Sequence, residues 1–333
     1  MSKLSLPSDD KNVNADFCKV LIDLAEYEKN VSRNIHKYNA YKKAAAVLAS
    51  HHKRIDTGDE ARKLKGIGDK IAKKLDELLQ TGKLKKLENI NQDEDVIAIN
   101  LLTRVSGIGP VKAAELVRSG IKTLDDLKNN KEKLNHHQLI GLKYFDDIQK
   151  RIPRAEIQEI EGKLKKMVSN INEKFSVTIC GSYRRGNTDS GDIDCLITHP
   201  EITLKRKKSK HEKYALEKIV EALADLIIDT IAVGETKFMG VCRLRSELPA
   251  RRLDIRLIPH EQFHCAELYF TGSDVFNQKM RSHALEKGFM LNEYSLRHIG
   301  ATGVPGEPVP VANEEEVFEY IEYPYKEPNQ RNY

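Results

Sequence analysis

Two aspartates separated by one residue, Asp192 and Asp194, stand in the string GSYRRGNTDSGDIDCLIT, and a third, Asp254, stands in RRLDIRLI. In an extended strand the side chains alternate between faces, so Asp192 and Asp194 share one face while Ile193 and Cys195 turn to the core. The same alternation puts Asp254 and Arg256 outward and Leu253, Ile255 and Leu257 inward. If the two strands are neighbours, three carboxylates converge. Their mutual repulsion is relieved by hard divalent cations, which points to Mg²⁺ held by oxygen ligands. Two such ions about 4 Å apart stabilise both the attacking and the leaving oxygen of a phosphoryl displacement. The loop just upstream suits a substrate for that chemistry. Gly181 and Gly186 give it flexibility, Ser182 a hydroxyl, and Arg184 and Arg185 two guanidiniums for a triphosphate. It is not a P-loop, because Asn187 stands where that motif needs a lysine.

Paired glycines suggest a second kind of chemistry. GIG at Gly66–Gly68 recurs at Gly107–Gly109, an offset of 41 that also aligns Ile67 with Ile108, Ala72 with Ala113 and Leu75 with Leu116. A constant offset over these positions marks an internal duplication. Each glycine pair makes a tight bend before a helix and leaves backbone N–H groups free to bind a phosphate oxygen. Lys70 and Lys112 follow in the first helical turns. The charge agrees: residues 1–90 hold 19 Lys/Arg against 13 Asp/Glu, or +6, and from totals of 55 and 50 the remainder is 36 against 37, or −1. A basic surplus confined to one end fits a polyanion-binding module.

Two other strings carry chemistry on paper. HEQFH, His260 to His264, fits the zinc-protease pattern of two histidines on one helix turn with a glutamate between, although nothing nearby supplies a third ligand. KRKKSK, Lys205 to Lys210, reads first as a solvated loop, with a nuclear localisation element or an extra phosphate contact as alternatives.

These residues need elements to position them. A chain of 333 residues makes about two domains, with 40% hydrophobic and 32% charged residues as in soluble globular proteins. No apolar run is long enough for a membrane helix and the start lacks a signal-peptide core, so the expectation is an intracellular protein with no membrane partner. Cys18, Cys180, Cys195, Cys242 and Cys265 are an odd number without two-residue-gap pairs, which predicts reduced, mostly buried thiols. From Ala15 to about Ser50 the apolar spacing (Leu21, Leu24, Ala25, then Ile35, Tyr38, Tyr41, Ala45, Leu48) predicts two amphipathic helices. Leu64 to Gly82 reads as turn, helix and glycine stop. Beyond Ile152-Pro153 the pattern changes to a helix of about 18 residues and three β-branched runs, Val177–Cys180, Asp192–Thr198 and Arg252–Ile258, read as strands of a mixed sheet. A helix from about Lys213 to Asp225 lies between the last two runs. From Phe263 onward short helices, turns and strands mix, and Glu314 to Glu316 reads as the favourable N-terminus of a last helix.

The string Gly-Ser-x-x-Arg-Gly, the Asp-x-Asp pair and the third strand aspartate together resemble the nucleotidyltransferase superfamily. The glycine hairpins are similar to helix-hairpin-helix motifs. With YFTGSDVFNQKMR (Tyr269 to Arg281) and GFMLNEYSLR (Gly288 to Arg297), the chain resembles the family X DNA polymerases over nearly its whole length. The fold implied is multidomain α and α+β. It comprises a helical N-terminal domain with the first hairpin (1–90), a subdomain with the second (91–150), a mixed-sheet palm (151–262) and an α+β nucleotide-binding subdomain (263–333).

That resemblance also implies roles. Asp192, Asp194 and Asp254 would hold two Mg²⁺, with Asp254 taking the proton of the primer 3′-hydroxyl. Arg151, Ser182, Arg185, Ser190 and Gly191 would bind the triphosphate of an incoming dNTP. Tyr269, Phe270, Gly272, Asp274 and Asn277 would flank its sugar and base. Lys86, Arg252 and Arg281 would meet DNA, Glu293 and Tyr294 would tune closure, and Arg256 would pair with Asp194 in an open state. The hairpin glycines Gly107 and Gly109 would grip the DNA backbone. Carbonyls of Arg62, Leu64 and Ile67, and of Thr103, Val105 and Ile108, would hold Na⁺ or K⁺. Lys74 would attack the aldehyde of a 5′-deoxyribose phosphate, its pKa depressed by Lys37, Lys70 and Lys86. Lys37, Tyr41, Arg62 and Lys70 would hold the 5′-phosphate, and His36 would stack on a base. Lys73 departs from the family, which has an acidic residue there. The implied function is template-directed gap filling joined to a lyase, in base excision repair. Its partners would be gapped or nicked duplex DNA, dNTP and repair proteins. The protein would be a monomer, in the nucleus and also the cytoplasm. A template-independent or RNA-tailing nucleotidyltransferase is the nearer rival, opposed by the hairpin pair and the Tyr269 to Arg281 segment. A zinc protease and a non-catalytic DNA-docking scaffold are the remoter ones.

Overall fold

The computed structural model describes residues 12–204 and 215–332, so the basic run at 205–210 and the start of the helix expected from residue 213 lie outside the described residues. The chain divides into two compact units that meet in sequence at Phe145 and Asp146.

The first unit is helical: α1 (Ala15–Asn30), α2 (Ile35–Ala49), α3 (Gly58–Arg62), α4 (Asp69–Thr81), α5 (Lys85–Gln92), α6 (Glu94–Leu102), α7 (Pro110–Arg118), α8 (Leu124–Asn129) and α9 (His136–Lys143). The apolar stripe of α1 (Phe17, Leu21, Leu24, Ala25) packs against Tyr41, Ala44, Ala45 and Leu48 of α2, as i, i+3, i+4 spacing requires. The Asn34 side chain accepts from Lys37 N–H and starts α2, and Gly82, at φ 70°, ends α4 by donating to the Leu78 carbonyl. The apolar residues aligned by the duplication are core residues in both copies: Ile67, Ala72 and Leu75 in one, Ile108, Ala113 and Leu116 in the other.

The second unit runs from α10 (Phe145–Ile148), at the junction, through β1 (Ile152–Pro153), α11 (Arg154–Ile171), β2 (Ser176–Ile179), α12 (Gly181–Arg184), β3 (Asp189–Ser190), β4 (Ile193–Thr198), α13 (Ala215–Ala222), β5 (Ile227–Val233), β6 (Lys237–Cys242) and β7 (Arg251–Leu257). Its main sheet has the order β2-β4-β7-β6-β5. β4 and β7 are parallel and the other pairs antiparallel. Helices α11 and α13 cover one face through Ile157, Ile160, Leu164, Val168, Leu216 and Ile219. The sequence reading missed the β5–β6 hairpin. β5 is an edge strand with two register shifts and only Ile231 fully buried, so it lacks the alternation by which a half-buried strand is recognised.

The C-terminal part holds α14 (Phe263–Thr271), α15 (Asp274–Glu286), an antiparallel sheet of β8 (Phe289–Leu291), β9 (Leu296–Ile299) and β10 (Pro305–Val309), and α16 (Glu314–Tyr320). Phe276, Met280, Leu296, Val317, Phe318 and Ile321 form its core. Two readings change here. HEQFH is split between a 3₁₀ turn at His260–Gln262 and the start of α14, and His264 lies 3.7 Å from Glu267, so the zinc-protease geometry is not formed. Glu314 does open α16, but it is buried and clasped by two arginines rather than left as a surface charge. Among the described residues no helix is long and apolar enough to cross a membrane. All five cysteines are free and buried.

Candidate active site

The parallel pairing of β4 with β7 sets Asp194 directly opposite Asp254. Ile193, Cys195, Leu253 and Ile255 are fully buried beneath them, which leaves the carboxylates on the other face of the sheet. Asp192 immediately precedes β4. Burial pushes Asp194 up to about 7, with the charges of Asp192 and Asp254 adding to it. Burial raises Asp192 as well, and Asp254 adds while Arg252 and Arg151 oppose. A half-buried set of carboxylates, with Asp192 and Asp194 both raised in pKa, fits hard divalent cations. The cage is not preformed: among the described residues no three His, Cys, Asp or Glu side chains already enclose an ion position. The Arg252 guanidinium sits on Asp254. Arg252, expected at DNA, is here a counter-ion to the third carboxylate, and Arg256 lies over the Phe270 ring, 4.6 Å from its centroid. Arg256 influences Asp194 through its charge.

The upstream loop reaches this site because Gly181 adopts φ 62°, and a Cβ there would stand 3.1 Å from Asp194 Oδ2. Ser182 Oγ donates to Ser190 Oγ at 2.8 Å. Arg151 donates to the Asp189 carboxylate at 2.6 and 2.8 Å and packs on Gly191, where a Cβ would stand 3.2 Å from its Nη1. Arg185 donates to the Thr271 carbonyl at 2.6 Å and to Asn332 at 2.8 Å. Both guanidiniums of the loop thus reach Thr271, Arg185 its carbonyl and Arg184 its hydroxyl, and they differ in their ion pairs. Arg184 is turned away to Thr271 at 2.9 Å and Glu314 at 3.1 Å, with Glu267 at 3.4 Å, so its expected place on a triphosphate is corrected to a structural one. Tyr269 and Phe270 meet edge to face at 5.2 Å, and Asn277 donates to the Tyr269 carbonyl at 2.7 Å. Gly272, at φ 67°, passes close to Arg185. Tyr269, Asn277, Arg281 and Asn292 line a small pocket over Leu268 and Met280. Asp274 and Tyr294 are exposed and Glu293 is half-buried.

In the first unit, Lys74 on α4 donates to the Lys70 carbonyl at 3.1 Å. Burial holds its pKa below the ordinary lysine value, helped by the charges of Lys86 and Lys70 and opposed by Glu77 and Glu28. Crowding by cations was the expected cause; burial is the larger one. Lys37 faces Glu28 at 3.7 Å instead. Glu28, whose side chain is 1% exposed, also binds Lys86 at 2.7 Å. The sequence reading passed over Glu28, although it continues the Leu21, Leu24, Ala25 stripe and is thus an ionisable residue on an apolar face. Tyr41 is buried and its hydroxyl pKa raised by that burial. Arg62 pairs with Asp69 at 2.7 Å, while His36, Lys37 and Lys70 are exposed.

The two hairpins match bond for bond. Ile67 N–H donates to the Leu64 carbonyl at 3.1 Å, and Ile108 N–H to the Val105 carbonyl at 3.0 Å. Gly66 and Gly107 take φ 114° and 90°, and Gly68 and Gly109 open α4 and α7 with nothing within 4 Å of where a Cβ would stand. The carbonyls of Arg62 and Thr103 precede these turns.

Sequence models of four domains match this chain almost end to end: a helix-hairpin-helix domain over residues 12–84, the fingers domain of DNA polymerase lambda over 100–149, the DNA polymerase beta palm over 151–260 and the DNA polymerase beta thumb over 266–332. DNA polymerase lambda of Arabidopsis thaliana is 34% identical over 313 residues, covering 88% of this chain and 57% of that protein. DNA polymerase lambda of Rattus norvegicus is 33% identical over 343 residues, covering 98% and 58%. The DNA-directed DNA/RNA polymerase mu of Homo sapiens is 26% identical over 350 residues, covering 94% and 67%. The chain thus spans somewhat over half the length of the polymerase lambda relatives. With the hairpin pair, the mixed-sheet palm and its facing aspartates, these matches place the chain in the family X DNA polymerases.

Proposed function

We propose that this chain is a template-directed, gap-filling DNA polymerase whose N-terminal unit carries a 5′-deoxyribose phosphate lyase, and that the two act together in base excision repair. The observation that carries the polymerase reading is the register of Asp194 against Asp254 beside the loop that carries Ser182 and Arg185. The substrates are gapped or nicked duplex DNA and a dNTP. The chain works as a monomer of four parts (1–90, 91–150, 151–262 and 263–333), in the nucleus and cytoplasm.

Asp192, Asp194 and Asp254 would hold two Mg²⁺, which when bound supply Lewis-acid stabilisation of the charge on the transferring phosphoryl group. Asp254 exchanges its Arg252 partner for the site and accepts the proton of the primer 3′-hydroxyl. Ser182, Ser190, Arg185, Arg151 and the Gly191 N–H bind the triphosphate, as charge-assisted donors suited to phosphate. Tyr269, Phe270, Gly272, Asp274 and Asn277 flank the sugar and base, and exposed Arg281 meets the template. The hairpins grip the DNA backbone at Gly68 and Gly109, with the Arg62, Leu64, Ile67 and Thr103, Val105, Ile108 carbonyls around a Na⁺ or K⁺. In the lyase, neutral Lys74 adds to the sugar aldehyde and water leaves, giving an imine; loss of a C2′ proton then expels the DNA strand's phosphate from C3′, and hydrolysis of the imine frees the unsaturated sugar phosphate and Lys74. The lowered pKa of Lys74 supports this, because only the unprotonated amine attacks.

A duplex with a one-nucleotide gap and a 5′-deoxyribose phosphate tests both halves. The expected result is insertion of the base that the template specifies and release of the sugar phosphate. Insertion indifferent to template identity would favour a template-independent transferase, and borohydride trapping undiminished in Lys74→Ala would move the nucleophile elsewhere.

A further inference from the structure

The single turn α12 that carries Ser182 is anchored from behind by residues that the proposed chemistry does not use. Tyr183 is 8% exposed and joins the sheet core beneath α11. Its hydroxyl donates to Glu161 Oε2 at 2.6 Å, and its ring lies on the Arg154 guanidinium, 4.3 Å from the centroid. Arg154 also donates to the carbonyls of Tyr183 at 2.6 Å and Asn187 at 3.4 Å, and its backbone N–H to the Thr188 carbonyl at 2.9 Å. Lys165 closes the set on Glu161 at 2.7 Å. Two points on one helix, its first turn and a position two turns on, thus fix both ends of the segment from Tyr183 to Thr188. Burial and the Glu161 carboxylate push the Tyr183 hydroxyl up to about 12, so it stays a donor.

We propose that Tyr183 and Glu161 are positioning residues for the nucleotide: their hydrogen bond sets where the Ser182–Arg185 turn stands and so sets the affinity for a triphosphate that neither residue touches. The proposal rests on the reading of that turn as the triphosphate site. Its effect belongs in binding rather than in the chemical step, because the turn holds the same phosphates before and during transfer.

The test is single-turnover insertion of a correct dNTP into a one-nucleotide gap by the full chain, with the dNTP titrated. Tyr183→Phe and Glu161→Ala should each weaken the dNTP Kd about five- to tenfold, leaving the maximal rate and the DNA Kd within about twofold. Glu161→Gln, which keeps an acceptor for the hydroxyl, should restore near-normal affinity, and Tyr183→Phe/Glu161→Ala should be no worse than either single change. Glu161 is partly exposed, so its variants test the idea even if Tyr183→Phe folds poorly. An unchanged dNTP Kd in both single variants, a loss confined to the maximal rate, or Glu161→Gln as weak as Glu161→Ala would overturn the proposal. A wild-type chain that inserts nothing would instead remove the reading on which it rests.

Discussion

Glu314→Ala is the change whose cost can be worked most directly from the structure. The Glu314 side chain is 6% exposed and stands between Arg331, 0% exposed, and Arg184. Arg331 donates to its two oxygens at 2.7 and 3.2 Å and to the Lys326 carbonyl at 2.8 Å, and it lies among Phe276, Phe318 and Tyr325, 5.3 to 5.9 Å from their centroids. Deleting the carboxylate leaves Arg184 with Glu267 and Thr271, but leaves the buried Arg331 charge with the Lys326 carbonyl and aromatic rings in place of a carboxylate. Breaking a buried pair in this way costs about 3–5 kcal/mol. Urea unfolding of the full chain should show that loss for Glu314→Ala and a smaller one for Glu314→Gln. Glu314→Ala/Arg331→Met should recover much of it, because an apolar side chain suits the site that the guanidinium vacates. Burial alone would raise the Glu314 pKa, yet the bonds and charges of Arg331 and Arg184 hold it below the ordinary carboxylate value. A depressed folded-state pKa gives stability that is present above the unfolded pKa of about 4.3 and lost as pH falls through the folded value. The penalty of Glu314→Ala should therefore shrink in acid. A cost below about 1 kcal/mol at neutral pH, or a double variant whose losses simply add, would refute the reasoning.

Other outcomes follow from the two N-terminal sites. Lys74 lies below the ordinary lysine range, so borohydride trapping should rise with pH through the lowered value and then level off. Lys86→Gln removes one of the causes, and an inflection that failed to move to higher pH would count against the assignment. Lys74→Ala should lose most trapping and keep gap filling. Gly107→Ala forces φ 90° on an L-residue and drives a Cβ to 2.9 Å from the His137 ring. It should cost about 1–3 kcal/mol by thermal unfolding and weaken gapped-DNA binding. Gly109→Ala has open space and an extended φ of −87°. It should leave the unfolding midpoint alone and weaken DNA binding about tenfold in fluorescence anisotropy, by blocking backbone approach to a phosphate. Equal DNA affinity in Gly109→Ala and wild type would argue against a phosphate contact there.

How much was legible in the sequence depends on how far each partner lies along the chain. The alternation in IDCLI and RRLDIRL shows which side chains face which way, because strand period is a local property, and β4 beside β7 then brings the aspartates together. The duplication is equally local, and its matched apolar residues are core residues in both copies. Long-range partners were not readable. Arg184 and Glu314 are 130 positions apart, and nothing in GSYRRG tells the arginine that clasps a buried glutamate from the one that bonds the Thr271 carbonyl and Asn332. Tyr183 reads as an ordinary core aromatic until its hydroxyl is seen on Glu161. Glu28 was missed for a different reason. The spacing of apolar residues defines the buried face of α1, and an ionisable residue on that face carries no apolar signal of its own.

The central claim is that carboxylates on β4 and β7 assemble a divalent-metal site for nucleotidyl transfer, and Asp194→Asn tests it most directly. Single-turnover insertion on a one-nucleotide gap, at saturating Mg²⁺ and dNTP, should slow by about a thousandfold while gapped-DNA affinity changes by less than about threefold. Insertion within about tenfold of wild type, by a variant that binds the gap normally, would contradict the account.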